Sequence, residues 1–240
     1  MPIEPFLLLR AYAIGVFPMS DDRNADDVYW VEPKKRAILP LHQFHLSRSL
    51  ARTIRSGRFR VSVNEDFRAV VRLCAQSAPD RPTTWINHEI EQSYLRLHEL
   101  GFAHSVECRE GDELVGGLYG VSLGRAFFGE SMVSRRTDAS KVALAWLVAR
   151  MRIGGFTLLD CQFMTEHLRS LGAIEIDQRA YHSLLLAALS DVALTDGAAL
   201  LSAGPGSPSL LAFAPDLSET LSVSEPVSGQ LIAQLLTQTS

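Results

Sequence analysis

The apolar positions of this chain change period several times, and each change marks a predicted element. Residues 5–13 read as a short helix, which Gly15, Pro18 and the polar run 20–27 bring to an end. Residues 36–41 look like a strand. Ser47 is placed to cap a helix running to Ser56, with Gly57 closing it. Alternation returns at residues 59–63, and helical spacing at 66–76 through Phe67, Val70, Val71 and Cys74. A loop over 77–84 delivers Trp85, and Ile86, Ile90, Tyr94 and Leu97 define the next helix, ended by Gly101. Two strands, residues 103–109 and 113–121, are joined by the turn Glu110-Gly111-Asp112, and a third covers 125–132. Asp138 is placed to cap a helix over 139–153, with Val142, Ala143, Trp146, Leu147 and Met151 inward and Gly154-Gly155 as its stop. The apolar run 156–161 predicts a buried strand. Residues 165–171, 173–176 and 178–189 follow as helix, short strand and helix. Hairpins succeeded by helix, strand and helix give an α+β (mixed α/β) fold.

The 240 residues, 47% of them apolar, suffice for one sizeable core and a small accessory unit. Residues 1–35 are expected to form a small N-terminal domain packed on a catalytic domain at 36–190. Residues 191–240 are expected to be a Ser/Gly/Pro-rich, poorly ordered tail, whose last apolar segment, 230–236, is too short to be stable alone. The apolar run 3–16 is interrupted by Glu4 and Arg10 and is shorter than the roughly 20 residues of a membrane span. It also lacks the basic start and small-residue cleavage site of a secretory signal. Three widely spaced cysteines, Cys74, Cys108 and Cys161, fit the reducing cytoplasm, and neither they nor the histidines show zinc-ligand spacing. No membrane, metal or cofactor is expected.

Charge changes the picture more. Residues 34–60 carry eight basic side chains (Lys34, Lys35, Arg36, Arg48, Arg52, Arg55, Arg58 and Arg60) and no acid, so the rest of the chain holds 15 basic against 27 acidic residues. On the predicted helix Arg48, Arg52 and Arg55 fall at i, i+4 and i+7 and share one face. Arginines that serve solubility usually alternate with carboxylates; here like charges repel, a cost that a phosphate backbone would offset. The stretch therefore points to a nucleic acid.

Trp85, arriving after a loop of small and polar residues, is placed either to stack on a base or to serve as a half-buried packing residue. Glu130 directly follows Phe127, Phe128 and Gly129, where a carboxylate is costly to desolvate without a partner. A substrate ammonium is one such partner, and Arg135 or Lys141 the structural alternative. Asp160 and Gln162 lie two apart on a strand, so they are expected on one face with Cys161 pointing away as a core filler.

Several motifs occur in an order that resembles the leucyl/phenylalanyl-tRNA–protein transferases. They are Gly15-Val16-Phe17-Pro18, Tyr29-Trp30, Arg36-Ala37-Ile38-Leu39, Ser47-Arg48-Ser49, Thr84-Trp85-Ile86, His104-Ser105-Val106-Glu107, Leu114-Val115-Gly116-Gly117-Leu118-Tyr119-Gly120, Phe128-Gly129-Glu130-Ser131-Met132, Ala139-Ser140-Lys141 and Asp160-Cys161-Gln162. The resemblance runs from about Ala11 to Leu186. It implies an acyl-CoA N-acyltransferase-like catalytic domain that moves Leu or Phe, with Met tolerated, from aminoacyl-tRNA to proteins with N-terminal Arg or Lys, marking them for N-degron degradation. It further implies a monomer without cofactor, with Asp160, Gln162 and Glu130 at the reacting amine and ester. Trp85 would sit on the terminal adenosine, Leu118, Phe127, Met132, Leu144, Leu147 and Leu159 around the transferred side chain, and Arg48, Arg52, Arg55 and Arg58 on the tRNA. The sequence departs from the family at Met19, where a tryptophan is frequent.

Three other classes compete. An acetyl-CoA-dependent N-acetyltransferase would share the fold, but the residues before the helix at 139, Arg135-Arg136-Thr137-Asp138, lack the glycines of a pyrophosphate loop and add a negative charge. A non-enzymatic RNA-binding module would use the arginine face alone. A thiol hydrolase built on Cys161 and His167 is disfavoured because Cys161 is expected to face away from Asp160.

Overall fold

A computed structural model of the chain describes residues 1–77, 83–190, 212–214 and 227–237. In chain order the described elements are α1 (Pro5–Ala13), β1 (Phe17–Met19), β2 (Tyr29–Val31), β3 (Lys35–Ile38), a 3-10 turn (Leu41–Gln43), α2 (Arg48–Arg55), β4 (Arg60–Val63), α3 (Phe67–Cys74), α4 (His88–Glu99), β5 (Ala103–Glu110), β6 (Glu113–Leu123) and β7 (Ala126–Ser134). Then come α5 (Ala139–Ile153), β8 (Leu158–Gln162), α6 (Glu166–Ser170), β9 (Ile174–Asp177), α7 (Gln178–Ala188) and α8 (Gly229–Thr237). The mixed α+β architecture matches the periodicity. Neither β1 nor β2, which pair as a separate hairpin, was legible there.

Seven strands form one sheet in the order β4-β5-β6-β7-β8-β3-β9. All neighbours are antiparallel except β7 and β8, and α5 is the crossover that a parallel pair requires. Helices cover both faces. One apolar cluster gathers α2, α5 and α8; the other gathers α1, α3, α4 and α7. Residues 1–35 contribute Leu8, Leu9, Tyr12 and Phe17 to the second cluster, beside Val70, Tyr94 and Tyr181, so their apolar side chains share the core of the main sheet.

Two irregularities open a cleft in this sheet. Opposite β6, Tyr119 pairs with Ser131 and Gly120 with Gly129, which leaves Glu130 as the extra residue of a β-bulge. The bulge swaps faces along β7, so Phe127 and Met132, five residues apart, both pack on the α5 side. Gly120 is needed there, because a Cβ would come within 2.2 Å of the Phe128 carbonyl oxygen. Next to it, β7 and β8 pair only from Ala126–Leu158 to Phe128–Asp160, although both strands run on. Beyond that point they part.

Helix α2 is capped as expected, with the Ser47 hydroxyl accepting from the Leu50 N–H at 3.2 Å. The expected cap of α5 is not made. Asp138 has a left-handed backbone (φ 70°), which takes its carboxylate off the first turn, and it pairs with Lys141 instead; Ser134 Oγ accepts from the Ser140 N–H in its place. Helix α5 is also buried on more sides than its inward residues required, twelve of its 15 residues being buried. The reason is the C-terminal segment. Ile232, Ala233 and Leu236 of α8 are buried, Arg150 donates to the carbonyls of Ala212 and Ala214, and Phe213 stacks on His104. Residues 212–214 and 229–237 pack on the main core, where tertiary contacts supply what a nine-residue helix lacks alone; the rest of 191–240, like most of the loop before Trp85, lies outside the described residues. No helix among the described residues is long and apolar enough to cross a membrane.

Candidate active site

The parted ends of β7 and β8 border a cavity of about 420 Å³. Leu118, Met132, Leu144, Leu147 and Leu159 line it, together with the half-buried Trp85. Phe127 does not line it. That ring is fully buried behind the wall, packed on Phe156 and Phe213, because the bulge puts it deeper in the sheet than Met132. Met19, at the position where the family often has tryptophan, is a lining residue.

Two buried carboxylates sit at the polar end. Glu130 is 7% exposed and accepts from the hydroxyls of Tyr12 and Tyr94, both at 2.7 Å, and from Gln162 Nε2 at 3.0 Å. Neither cation considered from sequence reaches it: Arg135 bonds Gln76, and Lys141 pairs with Asp138. Burial raises the Glu130 carboxyl to about 7, against the opposing pull of its three donors. Burial and the neighbouring Glu130 also hold both phenols well above their ordinary range, so they remain donors.

Asp160 is 0% exposed and is not part of the cavity wall. Arg36 Nε lies 3.0 Å from both its oxygens and Nη2 lies 2.6 Å from Oδ2. The Tyr181 hydroxyl donates at 2.8 Å, and the backbone N–H of Gln162 donates to Oδ1 at 2.8 Å. The expected shared face of Asp160 and Gln162 breaks down because Gln162 is left-handed (φ 61°). Strand alternation ends there, and the Gln162 amide turns to Glu130 while Asp160 faces Arg36 and α7. Cys161 does point opposite to Asp160, but that side is the cavity, which it lines together with His167. Burial pushes the Cys161 thiol far up, which removes the thiolate a hydrolase would need.

The basic stretch is divided by its surroundings. Arg36 is 1% exposed and serves Asp160; Lys35, Arg58 and Arg60 pair with Glu175, Glu110 and Glu65. Arg48, Arg52 and Arg55 are exposed and in no ion pair among the described residues. Ser47 starts their helix, and Leu50 and Ile54 bury its other side, so the three guanidinium groups share the open face. The site residues that sequence reasoning passed over are Tyr12, Tyr94, Arg36 and Tyr181. Tyr12 and Tyr94 occupy otherwise apolar helix positions, where a hydroxyl needs a buried partner, and that was the available signal.

A family model described as leucyl/phenylalanyl-tRNA protein transferase matches residues 38–186, and the model of that family's N-terminal domain matches residues 1–34. A leucyl/phenylalanyl-tRNA–protein transferase of Rhizorhabdus wittichii is 59% identical over 99% of both chains. The protein of that name from Zymomonas mobilis is 63% identical over 78% of this chain and 70% of its own, and one from Cereibacter sphaeroides is 61% identical over 78% and 86%. With an apolar cavity closed by Glu130 and Gln162 and a family match over most of its length, the chain belongs to the leucyl/phenylalanyl-tRNA–protein transferases, a family of aminoacyltransferases.

Proposed function

We propose that this chain transfers Leu or Phe, with tolerance for Met, from aminoacyl-tRNA to the α-amino group of proteins beginning with Arg or Lys, and so marks them for N-degron degradation. The observation that carries this reading is the cavity itself: leucine and methionine walls that end at two buried polar groups, Gln162 and Glu130. The walls would hold the transferred side chain. Such a cavity discriminates by only about 1–3 kcal/mol per methylene, which accounts for the tolerance of Met.

The donor ester is already activated, so positioning supplies most of the rate. Gln162 Nε2 donates to Glu130, which leaves its carbonyl oxygen to accept from the acceptor's α-amine. That amine, with an ordinary pKa of about 7.7–8.0, keeps an appreciable neutral fraction near neutral pH. Its nitrogen attacks the ester carbonyl, an N–C bond forms and the C–O bond to the terminal ribose breaks. The proton lost by nitrogen is balanced by the one the ribose oxygen takes. Glu130, behind Gln162, favours positive charge on nitrogen as the bond forms when its carboxyl is ionised. Asp160, assigned from sequence as the group that orients the amine and takes its proton, is reassigned here: its oxygens are occupied by Arg36, Tyr181 and the Gln162 N–H, and it holds Gln162 in place.

Trp85 would stack on the terminal adenosine, while Arg48, Arg52 and Arg55, with Arg58 beside them, would meet tRNA phosphates. The protein would act as a monomer in the cytoplasm, where three cysteines outside any disulfide are at home. The test is incubation with charged Leu-tRNA and a peptide beginning with Arg. Extension by one leucine is expected, and Gln162→Ala should lower transfer more than a hundredfold while leaving donor affinity intact. A folded wild-type protein that does not extend the peptide sinks the proposal.

A further inference from the structure

Arg36 belongs by sequence to the basic stretch, yet its guanidinium touches no surface. Four groups hold it. Nη1 donates to the Gly15 carbonyl oxygen at 2.9 Å, the rings of Phe17 and Tyr181 lie 4.8 and 4.4 Å from its central carbon, and Asp160 takes the opposite edge. The Tyr181 hydroxyl accepts from Nη2 at 3.2 Å and donates to Asp160 Oδ2 at 2.8 Å, closing a ring of contacts. Nε contacts both carboxylate oxygens and Nη2 contacts Oδ2, so the guanidinium fixes the rotation of the carboxylate as well as balancing its charge.

That rotation has a consequence two residues on. Asp160 Oδ1 is thereby aimed at the Gln162 N–H, 2.8 Å away, and Gln162 is in the left-handed conformation that residues with side chains avoid. The left-handed turn swings the Gln162 amide off the face of β8 that Asp160 occupies and onto Glu130 Oε1. A continuous series of contacts therefore runs from Gly15, Phe17 and Tyr181 through Arg36 and Asp160 to Gln162 and Glu130. It brings the turn after α1, and α7 near the end of the family match, to bear on the polar end of the cavity.

We propose that Arg36 is a positioning residue for transfer: its fork sets the Asp160 carboxylate, which holds Gln162 in the conformation that presents its amide to the reacting amine. Arg36 accordingly governs kcat and has no part in gripping tRNA, unlike Arg48, Arg52 and Arg55. This rests on the transferase function proposed above. A group required only for charge balance could be a lysine; a group that sets an orientation could not.

The full chain is assayed with charged Leu-tRNA and an Arg-initiated peptide as wild type, Arg36→Lys and Tyr181→Phe, with the fraction of protein competent to bind donor measured for each. Arg36→Lys is expected to lower kcat at least about tenfold, and Tyr181→Phe about threefold to tenfold, with donor KM changed less than about twofold. Wild-type kcat in both variants overturns the assignment. So does a raised donor KM at unchanged kcat, which would put Arg36 on the tRNA, or a kcat that falls only as far as the donor-binding fraction falls. If Arg36→Lys does not fold, the double variant Arg36→Met/Asp160→Asn removes both buried charges together; it is expected to bind donor with depressed kcat, and wild-type kcat in it overturns the assignment. Absence of transfer by the wild type would instead sink the functional proposal itself.

Discussion

The buried polar centre and the open face of α2 use charge in opposite ways. At the centre Arg36, Asp160 and Glu130 are buried, and every contact given to the two carboxylates is a donor. On α2 Arg48, Arg52 and Arg55 are exposed and in no ion pair among the described residues. Within the centre there is a second contrast: Asp160 is balanced by a cation, whereas Glu130 has only neutral donors and is pushed up toward neutrality. Burial makes a charge part of stability and orientation, while exposure leaves it available to a partner and to salt.

The sharpest way to break this comparison is Asp160→Ala, which strands Arg36 in the interior. It is expected to cost about 3–5 kcal/mol of stability by urea denaturation; a change below about 1 kcal/mol would mean that the pair is not truly buried. Glu130 comes next and gives a pH signature. Its carboxyl ionises at about 7 in the fold against 4.5 ordinarily, so the folded chain keeps a proton there that the unfolded chain has released. The associated stability is fully present below pH 4.5 and is lost as pH rises to 7, about 3 kcal/mol in all. Glu130→Gln should erase that component of the pH profile, and an unchanged profile would place the titration elsewhere.

On α2 the effects move from stability to binding. Replacing Arg48, Arg52 and Arg55 together by Ala should raise donor KM about tenfold or more, leave kcat within about threefold, and flatten the logarithmic salt dependence by about 2–3. Retained affinity with the same salt slope would put the tRNA on another surface. The smallest effect belongs to Arg58→Ala, because Arg58 already pairs with Glu110 at 2.8 Å. Its donor KM should rise less than about twofold, and a rise equal to that of any one α2 arginine would erase the distinction between paired and unpaired cations.

Much of the fold was legible because its signals are local. Pro5–Ala13 is the helix that its apolar spacing and the following Gly15 predict, and Ser47 caps α2 from its own side chain. The cavity walls were legible from family motifs, except Phe127, which the bulge at Glu130 moves out of reach. A bulge is a mismatch between two strands, so no single-strand pattern announces it. Likewise, the left-handed Gln162 broke an alternation that β8 otherwise keeps, and a carboxylate from the same strand is what holds it there.

By itself the sequence determined the mixed architecture, the arginine face of α2 and the identity of the polar residues at the site, since these depend on residue type and near spacing. Tertiary structure alone decided which arginine stays exposed and which is buried against a carboxylate. Arg36 and Arg48 are the same side chain in one acid-free stretch, and their surroundings differ because Asp160, 124 positions from Arg36, is brought beside it on the neighbouring strand. It also decided the fate of the C-terminal segment, since α8 becomes a helix against α2 and α5 that its length could not sustain alone. Contacts at such separations depend on closing the sheet, and no local pattern encodes that closure.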